Sequence, residues 1–215
     1  MVFTRMPCLP HSFAAVRVSE REQAMIDQVK AVIATDSARL ETTFKDLHRH
    51  PELAFTEIRT AGIVAAELRK LGFTVTTGIG KTGVVGVLRN GPGPTLWYRA
   101  DMDANGGVRE TTGLPWAAMQ PQTLADGSEV DVMHACGHDV HTASLLGTAN
   151  ILNEVKDHFE GTVRFLFQPG EEKNPGGASI LIKEGVLKNP APAAIFGLHV
   201  HPGLPVGRFS FRSGQ

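Results

Sequence analysis

The residues of this sequence best suited to chemistry fall in a few short strings far apart along the chain. The densest is Met133-His-Ala-Cys-Gly-His-Asp-Val-His141, which holds three of the nine histidines and one of the two cysteines. Cys136 and His138 stand two apart. In an extended loop such residues point the same way, so both can reach one ion. Thiolate and imidazole are borderline-soft donors that suit zinc, cobalt or manganese-type sites. Asp139 follows directly and could hold a ligand histidine by accepting its second N–H. The second string, Gln168-Pro-Gly-Glu-Glu172, closes an apolar run at 162–167. Two adjacent carboxylates at the end of a buried strand are expensive to leave unpaired. A metal would neutralise one, and the other could accept a proton from a water that the cation acidifies.

Two further strings end apolar runs in the same way. Phe196-Gly-Leu-His-Val-His201 offers His199, and Trp97-Tyr-Arg-Ala-Asp-Met-Asp103 offers two carboxylates. Asp101 could orient a ligand or an attacking water, and Asp103 could cap the turn that follows it. Sites in α/β sheets lie at the carboxyl ends of strands, which is where these strings fall. A different chemistry is also open: His134 and His138 could lower the pKa of Cys136 and make it a nucleophile, although the other cysteine, Cys8, is distant in sequence.

The elements that must position these residues alternate between helical and strand periods. Residues 38–50 read as an amphipathic helix with Asp36 or Ser37 as N-cap and Pro51 as its stop. A second helix is expected at 57–71, closed by Gly72. Strands are expected at 73–77, 84–89 and 95–99, a loop from 101 to about 131, a helix at 141–159, a strand at 162–167, a short helix at 178–184 and a strand at 193–198. The pattern predicts an α/β fold, a mixed central sheet with helices on both faces. Gly78-Ile-Gly-Lys-Thr-Gly83 fits a dinucleotide-binding GxGxxG, but a strand follows where that motif needs a helix, so a hairpin turn is expected.

At 215 residues one principal domain is expected. Residues 1–35 are expected to form an N-terminal extension of uncertain structure, and 36–215 carry the chemistry. The formal net charge is −1, with 20% charged residues and no long run of one sign. That argues against a nucleic-acid or anionic-membrane partner, and no apolar run approaches the roughly 20 residues that span a bilayer. Two cysteines do not make a disulfide framework, although a Cys8–Cys136 bond is conceivable. Phe13 to Val18 is too short for the core of a secretory signal, so a cytoplasmic location is expected, with a periplasmic or secreted one as the alternative if the start is mis-assigned.

Taken in order, His50-Pro-Glu-Leu53, Arg99-Ala-Asp-Met-Asp103, His134-Ala-Cys-Gly-His-Asp139, Gln168-Pro-Gly-Glu-Glu172 and Phe196-Gly-Leu-His199 closely resemble the M20 metallopeptidase family. The nearest branch is the aminoacylase and hippurate hydrolase-like amidohydrolases, which includes enzymes that hydrolyse indole-acetyl amino acid conjugates. The resemblance runs from about residue 38 to the C-terminus. It implies a zinc-exopeptidase-like α/β domain with two divalent ions, zinc, manganese or cobalt. It implies Cys136, His138, Glu172 and His199 as ligands, Glu171 as general base, and Asp101 as the aspartate that supports the site. Asp139, His141, His134 and Asp103 then surround the ligands or face the substrate. The implied reaction is hydrolysis of a small N-acyl amino acid to acid and amino acid.

Three departures from the family pattern stand out. Gly170 replaces the usual alanine before the glutamates and should loosen the loop. Ala104-Asn-Gly-Gly-Val108 replaces the common continuation and is expected to alter the pocket wall. The chain stops at Gln215, before the family's lid domain, used for dimerisation and substrate contacts, and before one further histidine ligand. The alternative expectation is therefore a metal-binding remnant with weak turnover or none, and homodimerisation is not expected without the lid.

Overall fold

The computed structural model describes residues 18–211. Cys8, and with it any Cys8–Cys136 bond, lies outside the described residues, as does most of the stretch read for a secretory signal.

The first helix starts earlier than expected. Ser19 and Glu22 form a capping box: the Ser19 hydroxyl accepts the Glu22 N–H at 3.2 Å, and the Glu22 carboxylate accepts the Ser19 N–H at 2.7 Å. From there α1 (Glu20–Arg49) runs 30 residues without a break. Asp36 and Ser37 are therefore interior, not caps. Asp36 is bound instead by the Arg39 guanidinium, at 2.5 and 2.8 Å, and by the Asn150 amide of a later helix. Those partners remove its competition for backbone N–H groups. Pro51 ends α1 as expected.

In α2 (Ile58–Lys70), Ala61, Val64, Ala65 and Leu68 form the buried stripe. The strands β1 (Thr74–Ile79) and β2 (Gly83–Asn90) pair antiparallel as a hairpin. Gly78 and Gly80, at φ +79° and +58°, shape its turn, which disposes of the dinucleotide reading. Next comes β3 (Thr95–Asp101). The region expected as loop and the residues just after it contain four two-residue strands, β4 (Asn105–Gly106), β5 (Gln122–Thr123), β6 (Glu129–Val130) and β7 (Val132–Met133), paired β4 with β7 and β5 with β6. Then follow α3 (His138–Glu154), β8 (Gly161–Gln168), α4 (Gly177–Lys183) and β9 (Ala194–Gly197).

The main sheet has the order β1-β2-β8-β3-β9. The pairs β1/β2 and β2/β8 are antiparallel, while β3/β8 and β3/β9 are parallel. On one face α2 and α3 bury Val64, Leu68, Leu146 and Ala149 against Val84, Phe165 and Phe167. On the other, Leu181 of α4 packs with Val85, Trp97 and Leu166. The expected mixed sheet with helices on both faces is what the chain forms. Each large apolar side chain sealed in this way stabilises the fold by about 1.5–3 kcal/mol. No helix among the described residues is long and apolar enough to cross a membrane.

The parallel pairings bring the chemical strings together. Asp101 is in register with Gln168, and Arg99 with Gly197. The carboxyl ends of β3, β8 and β9 therefore lie side by side, and the next residues of each strand project from one edge.

Candidate metal centre

His138 is the pivot of that edge. Gly137, in the left-handed conformation, starts α3 three residues earlier than the sequence pattern indicated, so His138 falls in the first helical turn. Its Nδ1 lies 2.7 Å from the backbone oxygen of Asp103 and donates to it. The lone pair of the neutral ring is thereby placed on Nε2. This Nε2 is buried and has no hydrogen-bond partner among the described residues. It faces Asp101 Oδ1 and Glu172 Oε1, each 3.8 Å away. Burial alone would keep the ring neutral, but the Asp103 hydrogen bond and the Asp101 and Asp103 carboxylates raise its pKa. The local field thus favours a positive charge there, which a proton or a metal ion could supply.

One sulfur, nitrogen or oxygen donor from each of Cys136, His138 and Glu172 lies within 4.8 Å of the other two. Donors bound about 2.0–2.3 Å from one tetrahedral zinc sit roughly 3.5 Å apart, so the three can share an ion after small adjustments. Cys136 is exposed, and its N–H is held by Asn105 Oδ1 at 3.1 Å. A hydrogen bond with Glu172, and then partial burial, push its thiol pKa up. That is opposite to the depressed thiol a cysteine nucleophile needs.

A second group, His138, His141 and His199, overlaps the first at His138. The exposed His199 donates from Nδ1 to the Val200 carbonyl at 2.6 Å. Both nitrogens of His141 are already engaged: Nδ1 donates to Asp101 Oδ1 at 2.6 Å, and Nε2 accepts the Val200 N–H at 3.0 Å. His141 therefore braces the segment that carries His199. The structure groups Cys136, His138 and Glu172 tightly, and joins His199 to them through His138.

The remaining carboxylates differ in what they hold. Asp101 is 2% exposed, yet its pKa falls to about 2. Burial opposes the charge, but the His141 hydrogen bond and the Arg99 guanidinium at 2.8 Å outweigh it. Asp103 does not cap the turn after itself. Its two oxygens accept the N–H groups of Glu171 and Glu172, at 3.0 and 2.8 Å, because β3 and β8 end side by side. Asp139 does not hold a ligand histidine. Adjacent helical residues diverge by about 100°, given 3.6 residues per turn. Asp139 accordingly turns towards α1 and takes His48 Nδ1 at 2.6 Å. His134 is buried, neither ring nitrogen is bonded among the described residues, and burial draws its pKa down to about 4. Glu171 is exposed beside Glu172.

Three contributors escaped the sequence reading. His48 bridges Asp139 and Glu110, the latter at 3.3 Å from Nε2. Asn105 anchors Cys136. Glu57, read only as the first residue of a helix, is fully buried and accepts the Gly170 N–H at 2.7 Å. Gly170 is consequently not a loosened point. Its N–H is held, and its carbonyl accepts the Gly177 N–H at 2.8 Å. A polar residue at an unremarkable helix start carries no sign of such burial.

Residues 97–214 match the profile of peptidase family M20/M25/M40. An N-acetylcysteine deacetylase of Bacillus subtilis is 41% identical over 82% of this chain and 43% of its own length. An IAA-amino acid hydrolase of Arabidopsis thaliana is 41% identical over 78% of this chain and 35% of its own. Among solved structures, a Bacillus subtilis protein described as a dinuclear metal binding peptidase from the M20 family superposes with a TM-score of 0.70. The identity is 40%, over 83% of this chain and 46% of that one. The chain spans less than half the length of these relatives.

Proposed function

The chain belongs to peptidase family M20/M25/M40, and from that membership we propose that it carries the metal-binding and catalytic residues of a hydrolase for the amide bond of N-acyl amino acids. The observation that carries this reading is the buried, unpartnered Nε2 of His138, aimed at Glu172 and Asp101 with Cys136 close by. Cys136, His138, Glu172 and His199 would hold two divalent ions, zinc, manganese or cobalt. Asp101 would keep His141, and through it the His199 segment, in place. Relatives that deacetylate N-acetylcysteine or hydrolyse IAA-amino acid conjugates support a small acylated amino acid as substrate.

A bound divalent ion would polarise the amide carbonyl and acidify the attacking water. Glu171, exposed beside Glu172, would take that water's proton and return it to the leaving amine. Asp103 fixes the backbone of both glutamates, so the base and its neighbour leave the loop in set directions.

The test is hydrolysis of N-acetylcysteine, hippurate and an indole-acetyl amino acid by the metal-loaded chain and by Glu171→Ala at equal metal content. Turnover should fall at least about 10²-fold in the variant, the scale of a general base. Equal turnover by the two proteins would refute the assignment. A second reading, metal binding without turnover, is favoured by the exposure of Glu171, Glu172 and His199, since water at the site weakens electrostatic stabilisation. Full metal uptake with no hydrolysis of any of the three substrates would select it.

A further inference from the structure

Three successive backbone N–H groups, those of Gly170, Glu171 and Glu172, end on just two carboxylates. Asp103 takes the last two, and Glu57 takes the first. The oxygen of Glu57 that accepts the Gly170 N–H at 2.7 Å also accepts the Phe55 N–H at 3.0 Å. Its other oxygen accepts the Thr82 hydroxyl from the β1–β2 turn. The side chain is 0% exposed, and no Lys, Arg or His among the described residues forms a salt bridge with it. Sealing a carboxylate among neutral donors is costly, so its position calls for a reason.

Capping α2 is not that reason. The Glu57 side chain makes no cap hydrogen bond to the helix. The free N–H groups of Arg59 and Thr60 are taken by Glu52, at 2.9 and 2.8 Å. What Glu57 holds is the connection that follows β8. Gly170 sits at φ +58°, and a Cβ there would lie 2.4 Å from the Phe55 ring. Phe55, Glu57 and Thr82 thus form a platform on which residue 170 is pressed and hydrogen-bonded.

We propose that Glu57 is a positioning residue for the Glu171–Glu172 pair, fixing the backbone one residue before the base and two before the metal ligand. The inference rests on the reading of Glu172 as a ligand. Two carboxylates, Glu57 and Asp103, then define the path of 170–172. Loss of either would let Glu172 swing away from Cys136 and His138.

The test is Co²⁺ affinity of the full chain, measured by competition with a chelator, alongside melting of the metal-free proteins. Glu57→Ala should bind Co²⁺ about 10–100-fold more weakly, the usual effect of removing a group that supports a ligand. Glu57→Gln should stay within a few-fold of wild type, since its oxygen can keep both amides while its nitrogen donates to Thr82. Glu57→Asp, too short to reach Gly170, should resemble Glu57→Ala and decides the matter if the alanine variant does not fold. In a Glu172→Ala background, Glu57→Ala should cause no further loss, whereas a purely structural role would weaken binding in both backgrounds. Wild-type affinity in Glu57→Ala or Glu57→Asp, or an equal further loss in the Glu172→Ala background, would overturn the proposal alone. A wild-type chain that takes up no Co²⁺ would overturn the metal centre and this role together.

Discussion

The Nδ1 of His138 donates to the backbone oxygen of Asp103 across 2.7 Å, which commits the opposite ring nitrogen to whatever lies at the sheet edge. The neighbouring His141 has no such freedom, because Asp101 and Val200 occupy both its nitrogens. The two histidines should therefore respond differently to removal. His138→Ala should lose more than about 100-fold in Co²⁺ or Zn²⁺ affinity, and His141→Ala about 10–100-fold, as for a residue that only orients a ligand. Competition titrations of the two variants check this, and equal losses would contradict it.

Asp101 gives the apo fold a pH signature. Its pKa drops from 3.8 to about 2 on folding. A depressed carboxyl stabilises the folded state above its unfolded pKa, and that contribution disappears as pH falls through the folded value. By linkage it amounts to about 2 kcal/mol. Metal-free wild type should exceed Asp101→Asn in denaturant resistance at neutral pH, with the gap narrowing between pH 3.8 and about 2. A gap independent of pH in that window would assign the effect to packing.

The convergence of the candidate residues was legible in the sequence because strand ends and chemistry coincide in β3, β8 and β9. Apolar runs closing on Asp101, Gln168-Pro-Gly-Glu-Glu172 and His199 can be read without coordinates, and the parallel register then sets them side by side. What could not be read was the pairing of carboxylates with donors. Asp139 sits next to His138 yet serves His48, 91 residues away. Asp103 serves Glu171 and Glu172 across the sheet edge. Glu57 serves Gly170, 113 residues away. These partners are decided by tertiary closure, and no local spacing encodes them. The start of α1 is hidden for the opposite reason: Asp36-Ser37 looks like a local cap, but Arg39 and Asn150 claim the aspartate.

His48 should impose the reverse pH trend. The Asp139 hydrogen bond, opposed by burial and aided by Glu110, raises its pKa above 6.5. A raised histidine contributes its full stability below the unfolded pKa and loses it as pH rises through the folded one. The melting-temperature advantage of wild type over His48→Asn should therefore be largest below pH 6.5 and shrink above it. An advantage that grows with pH would show that the imidazole is neutral in this network.

Gly170 should not tolerate the alanine that the family pattern would place there. The left-handed φ and the Phe55 ring both oppose a methyl group. Gly170→Ala should cost about 1–3 kcal/mol in unfolding free energy. Gly170→Ala combined with Phe55→Leu should recover part of that cost by opening space. Urea denaturation of the single and double variants measures both, and a neutral single variant would contradict the packing seen here.

Whether Cys136, His138 and Glu172 share one ion is tested most directly by titrating the metal-free chain with Co²⁺ and following absorption. The wild type should develop a saturable thiolate-to-cobalt charge-transfer band. Cys136→Ser should lose that band, and Glu172→Ala should need much more cobalt to reach it. A chain that takes up cobalt with no such band, or a Cys136→Ser variant with an unchanged spectrum, would show that the thiol is not a ligand.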